Sequence, residues 1–283
     1  MTKKILIIGA LGMLGQDLKV VFPDALGWDK QEVDITNKTE VFNKIKKLKP
    51  TLVINAAAYN NVDACEKSTE NHRIAEKLNG HAVGYLAQIC AEIGAKFIHY
   101  STNYVFDGKK PEGYDENDKP NPLNNYGLTK LLGERKITEV NGLAYYIIRT
   151  AKLFGKKGGS DAAKKNFFDI MLELSAVKKE LRVVDDELSN FTYTPDLAGA
   201  TKNLVEKKYA NGTYHLVNEN PCTWYEGART LFDIIKKDVK VIPVLADEFK
   251  RPAKRPHYGI LLNTKLPKLR GYQEALKKFL ISN

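Results

Sequence analysis

The sequence predicts an α/β protein: a Rossmann-type, doubly wound parallel sheet with a smaller C-terminal substrate domain. Three observations carry this. Short, mostly apolar runs alternate with longer helical-period segments through the first half, the pattern of βαβ units. A glycine turn, Gly9-Ala10-Leu11-Gly12-Met13-Leu14-Gly15, separates the first apolar run from the first helix. An acid, Asp29, closes the second run 20 residues beyond Gly9.

The elements follow in order. Residues 4–8 (KILII) read as a buried strand ending in glycine, and 13–22 as a helix stopped by Pro23. Residues 25–28 form a second short strand. Val41, Phe42, Ile45 and Leu48 give 38–48 helical spacing, closed by Lys49-Pro50. Residues 52–54 are a third strand, 74–93 one long helix capped by Gly94, and 96–100 (KFIHY) a fourth strand. A helix over 126–140 turns at Asn141-Gly142 into the strand 144–149. The second half is less regular, with helices over 167–178, 196–205, 225–236 and 273–280. Strands are expected at 181–184 and 213–217, and a proline-rich basic segment at 251–256. The expected division is a dinucleotide-binding domain over 1–155, to which 193–218 returns, and a substrate domain from 156–192 and 219–283.

Composition narrows the function. A chain of 283 residues buries enough surface to need no staples. No run reaches the ~18 apolar residues of a membrane span. The start, basic then apolar, superficially resembles a leader, but its glycines are regularly spaced and it continues as an amphipathic helix. Cys65, Cys90 and Cys222 are scattered, with no C-x-x-C pair, which argues against a disulfide framework or a metal site and fits a reducing, cytoplasmic setting. The net charge of +10 raises the question of nucleic acid. Its lysines are dispersed rather than gathered with aromatics on one face, so an anionic small substrate is the better fit.

The glycine turn suits a pyrophosphate, because glycines let a phosphate approach backbone N–H groups at a helix N-terminus. A tight strand–helix turn also uses glycines, so the strength lies in the context. Asp29 stands where a carboxylate accepts the adenosine ribose hydroxyls. It opposes a 2′-phosphate and favours NADH over NADPH; Lys30 beside it makes that preference modest. Tyr126 and Lys130 lie one turn apart on a helix face, where an ammonium would lower the phenol's pKa and make it a proton shuttle. Ser101-Thr102 ends the fourth strand and places hydroxyls at the carboxyl edge of the sheet, where α/β folds bind ligands.

Together with Asn55-Ala-Ala-Ala-Tyr59, Asp63, Asn79, Ser101-Thr-Asn-Tyr-Val-Phe106, Tyr126-Gly-Leu-Thr-Lys130 and Arg149-Thr150, these motifs resemble the extended short-chain dehydrogenase/reductases. Within them the chain is similar to the dTDP-4-dehydrorhamnose reductase family, with further matches at Val184-Asp185-Asp186, Asp196-Leu-Ala198, Gly212-Thr-Tyr-His-Leu216, Thr223-Trp-Tyr225 and Arg255-Pro256. The resemblance implies NAD(P)H-dependent reduction of the C4 ketone of a nucleotide-linked 4-keto-6-deoxysugar, namely dTDP-4-dehydro-L-rhamnose. It implies Thr102, Tyr126 and Lys130 as the catalytic trio. Cofactor contacts would fall on Gly9, Gly12, Met13, Leu14, Gly15, Asp29, Asp34, Ile35, Ala56, Ala57, Tyr59, Asn79, Ser101 and Lys130. Substrate contacts would fall on Thr102, Asn103, Tyr104, Lys152 and Arg255, with no metal. The expected partner is a nucleotide-sugar substrate, with a possible homodimer and neither nucleic acid nor membrane.

The chain departs from the family pattern at several pocket positions. Asn103 stands for the aspartate of S-T-D-Y-V-F, and Lys152 for a tryptophan that packs on the sugar. Asp186-Glu-Leu-Ser-Asn-Phe-Thr192 replaces D-Q-x-G-x-P-T, and Gly259 replaces a serine expected after Arg255-Pro256. Two alternatives therefore stand beside the reductase: an enzyme for a different nucleotide sugar, and a non-catalytic reductase-like regulatory subunit.

Overall fold

A computed structural model describes residues 4–160 and 163–282. The first three residues of the basic start considered above lie outside that range. Six strands form one parallel sheet: β1 (Ile5–Ile8), β2 (Leu26–Trp28), β3 (Leu52–Asn55), β4 (Lys96–Thr102), β5 (Tyr145–Thr150) and β10 (Gly212–His215), in the order β10-β5-β4-β3-β1-β2. Residues 6, 53, 97 and 147 pack against one helical layer, formed by α2 (Lys38–Leu48), α5 (Ala82–Glu92) and the end of α6 (Asn125–Thr138). The opposite face, with Ile7, Ile54, Ile98 and Ile148, packs against α1 (Met13–Val21) and α8 (Thr194–Glu206). Burial on both faces is why these strands read as continuous apolar runs. The chain leaves β1 toward β2, then crosses to β3 on the other side. The crevice between the carboxyl ends of β1 and β3 is therefore the topological switch point.

The long helix expected over 74–93 is interrupted. It begins earlier, as α4 (Thr69–Glu76) capped by Ser68, passes through a π turn at Lys77–His81, and resumes as α5. A short helix, α3 (Val62–Lys67), precedes it. The π turn is built around close helix contact: a Cβ on Gly133 of α6 would come within 2.2 Å of the Asn79 carbonyl. β4 also runs two residues beyond the expected end, carrying Ser101 and Thr102 into the sheet.

The remaining elements use three small parallel pairs instead of one sheet. β6 (Leu153–Phe154) pairs with β9 (Thr192–Tyr193), β7 (Glu180–Val184) with β11 (Lys240–Val244), and β8 (Leu188–Ser189) with β12 (Tyr258–Gly259). With α7 (Phe167–Val177), α9 (Trp224–Ile235) and α10 (Tyr272–Ser282) the first two pairs share a separate apolar cluster rich in aromatic rings. α8 and β10 return to the main sheet.

Candidate active site

At the switch point, Gly9 has φ +78°, and a Cβ there would lie 2.7 Å from the Ala57 amide nitrogen. A Cβ on Gly15 would lie 2.0 Å from the Gly9 carbonyl oxygen. The turn therefore closes against β3 only with glycines, as its sequence spacing requires. Gly12, the N-cap of α1, supplies no side-chain acceptor to the helix's first N–H groups. An anion is the natural partner for such a bare helix start. The Asp29 carboxylate accepts the Leu11 N–H at 2.9 Å, so it fastens the glycine turn. Partial burial pushes its carboxyl above the usual range.

Several expected cofactor residues have other work. Asp34 Oδ1 accepts both the N–H and the hydroxyl of Thr36 in a local turn, which holds its carboxyl low, and Ile35 is buried in the core behind β1. Asn79, expected at the cofactor, has a buried amide bonded to the protein. It accepts the Tyr59 N–H at 2.8 Å and donates to the Tyr59 carbonyl and to Thr129 Oγ1, both at 3.1 Å. Asn79 thus positions the loop bearing Ala56, Ala57 and Tyr59 against α6. The π turn that aims it there has no signature in the local sequence.

α6 starts where Asn124 accepts the Gly127 N–H at 2.8 Å. Gly127 is obligatory, since a Cβ would sit 2.1 Å from the Tyr104 carbonyl oxygen. That close approach places the buried Tyr126 ring edge-on to Tyr104, with centroids 5.9 Å apart. The Tyr126 hydroxyl donates to Asn60 Oδ1 at 3.4 Å, with the Thr102 side chain beside it. Burial raises its pKa above the normal phenol range, with the neighbouring Thr102 hydroxyl pulling back. Lys130, 2% exposed, donates to the Tyr100 carbonyl at 2.6 Å and lies 3.3 Å from His99 Nε2. Burial lowers its pKa to about 8. The expectation that Lys130 acidifies Tyr126 is corrected here: its nitrogen is held by the β4 backbone, and desolvation dominates the phenol. His99, wedged between Lys130 and Asn55, is a site neighbour that the sequence reading passed over. The Ser101 and Thr150 hydroxyls are buried at this sheet edge without a partner among the described residues. Orphaned hydroxyls beside a bare helix start and Lys130 fit a nucleotide cofactor's polar atoms.

The expected substrate residues divide. Arg255 forms a bidentate pair with Asp63, 2.7 and 3.1 Å, on the loop side of α3. Burial works to raise the Asp63 carboxyl, but the arginine bonds outweigh it and hold it low. Arg255 also lies beside Tyr104, whose hydroxyl burial pushes up to about 12. Lys152, with φ +39°, reaches the carbonyls of Glu187 and Cys222 at 3.2 and 3.3 Å and lies over the Trp224 ring at 4.1 Å. Its desolvated ammonium has a pKa lowered to about 8. Glu187 is buried beside it, paired with Arg251 and accepting Trp224 Nε1–H at 2.9 Å. The Asn103 amide nitrogen meets Ser189 Oγ and the Gly259 carbonyl. Asn103, expected at the substrate, is thereby tied to β8 and β12. A segment unassigned from sequence also reaches the glycine turn: Gly159 N–H donates to the Leu11 carbonyl at 2.8 Å. The glycine pair Gly158-Gly159 was the available signal, since a Cβ on Gly158 would lie 3.0 Å from the Met13 nitrogen.

Known proteins share this arrangement. A family model described as RmlD substrate binding domain matches residues 3–282. The dTDP-4-dehydrorhamnose reductase of Aggregatibacter actinomycetemcomitans is 35% identical over 290 residues, covering 96% of this chain and 95% of the relative. A dTDP-4-keto-6-deoxy-D-glucose reductase of Streptomyces niveus is 32% identical, covering 92% and 89%. The crystal structure of dTDP-4-dehydrorhamnose reductase from Bacillus anthracis str. Ames in complex with NADP superposes with a TM-score of 0.93 at 34% identity, covering all of both chains. With its glycine turn, its Tyr126–Lys130 helix and these matches along the whole length, the chain belongs to the RmlD substrate binding domain family.

Proposed function

We propose that this chain is an oxidoreductase that reduces the C4 ketone of a nucleotide-linked 4-keto-6-deoxysugar, dTDP-4-dehydro-L-rhamnose, to the alcohol. The observation that carries the reading is the buried Tyr126 hydroxyl, set beside Thr102 at the carboxyl edge of the sheet and one helical turn before the anchored Lys130. When bound, a dihydronicotinamide supplies the hydride that reaches the ketone carbon. Tyr126 gives its phenolic proton to the ketone oxygen. Its raised pKa keeps that proton in place at neutral pH until the oxygen gains charge. Thr102 holds the phenol in line. The bare N–H groups of α1 hold the pyrophosphate, Asp29 takes the adenosine ribose hydroxyls, and Lys130 reaches the nicotinamide ribose.

Asp29 opposes a 2′-phosphate and Lys30 offsets it, so NADH is preferred modestly. The positive field of the chain draws in an anionic nucleotide sugar. Three free, buried cysteines suit a reducing, cytoplasmic setting. A second reading, reduction of a different nucleotide-linked 4-ketosugar, is favoured by Lys152, which puts a cation over Trp224 where the family carries an aromatic ring. Following NAD(P)H oxidation with a panel of nucleotide-linked 4-ketosugars tests both. Turnover of the dehydrorhamnose substrate supports the first reading, turnover of another sugar alone supports the second, and no turnover at all defeats both.

A further inference from the structure

We propose that Asn103 is a positioning residue whose locked side-chain amide takes the hydroxyl proton of Thr102, leaving Thr102 free to receive the Tyr126 hydroxyl; this rests on the catalytic reading above. The hydrogen-bond polarity on the far side of Asn103 fixes the amide. Ser189 Oγ lies 3.0 Å from the Gly259 carbonyl, an atom that only accepts, so the serine proton is committed there. Asn103 Nδ2 lies 3.1 Å from Ser189 Oγ and 3.0 Å from the same carbonyl. An oxygen in that place would face two acceptors. The NH₂ therefore faces β8 and β12, and the amide oxygen is left facing Thr102 Oγ1 at 3.3 Å.

Thr102 is then accounted for. Its oxygen accepts the Tyr104 N–H at 3.2 Å, and its one proton has the Asn103 oxygen as acceptor. One lone pair remains for Tyr126. When Tyr126 gives up its proton, the Thr102 hydroxyl turns and donates to the phenolate. A neutral amide oxygen releases that proton readily, whereas a carboxylate would retain it. Three departures from the family pattern thus form one contact: Asn103, Ser189 within 186–192, and Gly259, where a Cβ would lie 2.5 Å from Asn103 Nδ2.

The groups facing Tyr126 leave Thr102 as the switch. Asn60 Oδ1, 3.4 Å from the Tyr126 hydroxyl, only accepts; Tyr104 and Cys65 oppose ionisation, and Lys130 on the same helix is tied to β4. Around Tyr104 the charges are already paired, Arg255 with Asp63 and Arg251 with Glu187.

The test uses Asn103→Asp and Gly259→Ala in the full chain. Asn103→Asp should lower kcat about tenfold or more, leave NADH affinity unchanged, and move the alkaline limb of kcat up by about one pH unit. The limb rises because a carboxylate at 103 holds the Thr102 proton and disfavours the phenolate. Gly259→Ala pushes the same amide from the opposite side and should lower kcat about three- to tenfold with NADH affinity unchanged. A merely structural role would lower Tm without moving the limb. Wild-type kcat in either folded variant, or an unmoved limb in Asn103→Asp, would overturn the proposal. The Asn103 side-chain amide protons, identified by NMR from their loss in Asn103→Asp, should exchange slowly and quicken in Ser189→Ala. Fast exchange in the wild-type chain overturns the amide orientation whether or not turnover is found. A wild-type chain that exchanges slowly but reduces no ketosugar defeats the catalytic reading instead.

Discussion

The two sides of the site are built differently. On the sheet side, Gly9, Asp29, Ala57, Thr102 and Tyr126 are held by consecutive βαβ units, and most polar contacts there run to the backbone. On the other side, Lys152, Glu187, Ser189, Arg251, Arg255 and Gly259 sit on short parallel pairs and connecting loops. Those are tied together by side chains far apart in sequence, such as Arg255 with Asp63 and Asn103 with Gly259. A regular scaffold fixes the chemistry, and a web of long-range polar contacts shapes the pocket. Pocket residues can therefore change in concert while the proton donor stays in place.

The largest effect should come from breaking the scaffold. Arg149 on β5 and Glu134 on α6 form a buried pair at 2.7 and 3.0 Å, with both side chains about 5% exposed. Arg149→Met strands the carboxylate and should cost about 3–5 kcal/mol in urea unfolding. A smaller loss would mean that the sheet side is less rigid than its packing implies. Lys130→Ala comes next. It removes the ammonium held at Tyr100 and should weaken NADH binding while lowering kcat on the order of 10²-fold. Unchanged NADH affinity would separate Lys130 from the ribose.

Asp29→Ala should shift kcat/KM toward NADPH by about 1–3 kcal/mol, roughly 5- to 150-fold. Because the carboxylate also holds the Leu11 N–H, NADH affinity should fall in the same variant. A fixed cofactor ratio would reduce Asp29 to that structural bond. The smallest effect concerns the pocket side. Lys152 and Lys130 have pKa values near 8 against an ordinary 10.5. Between these values the folded chain binds fewer protons than the unfolded one, so stability rises with pH there; below about 8 the cost of burying charge is present in full. The tyrosines with raised pKa values act oppositely above about pH 10. Tm should therefore climb from pH 8 to 9.5, and less steeply in Lys152→Met.

The sheet side was largely legible in the sequence because apolar runs, glycine spacing and an i,i+4 pair are local signals. The sheet strands lie within two residues of where periodicity puts them, and the glycine turn and Tyr126 lie where spacing puts them. The failures on that side have tertiary causes. The π turn at Lys77–His81 answers to Gly133 on another helix, and the Tyr126 pKa answers to burial, which no i,i+4 spacing reveals. On the pocket side, Asn103 read as an isolated loss of charge because its partners lie 86 and 156 residues away. Strands of two residues, such as β8 and β12, have no periodicity to find.

The division of labour itself is tested most directly by Tyr126→Phe, with NADH affinity and ketosugar turnover measured on one preparation. Removing one buried hydroxyl from a position fixed by α6 should leave NADH affinity within about twofold of wild type and lower kcat by about 10² or more. Turnover near the wild-type rate would contradict the account, because the proton would then come from a group other than the one the sheet edge holds.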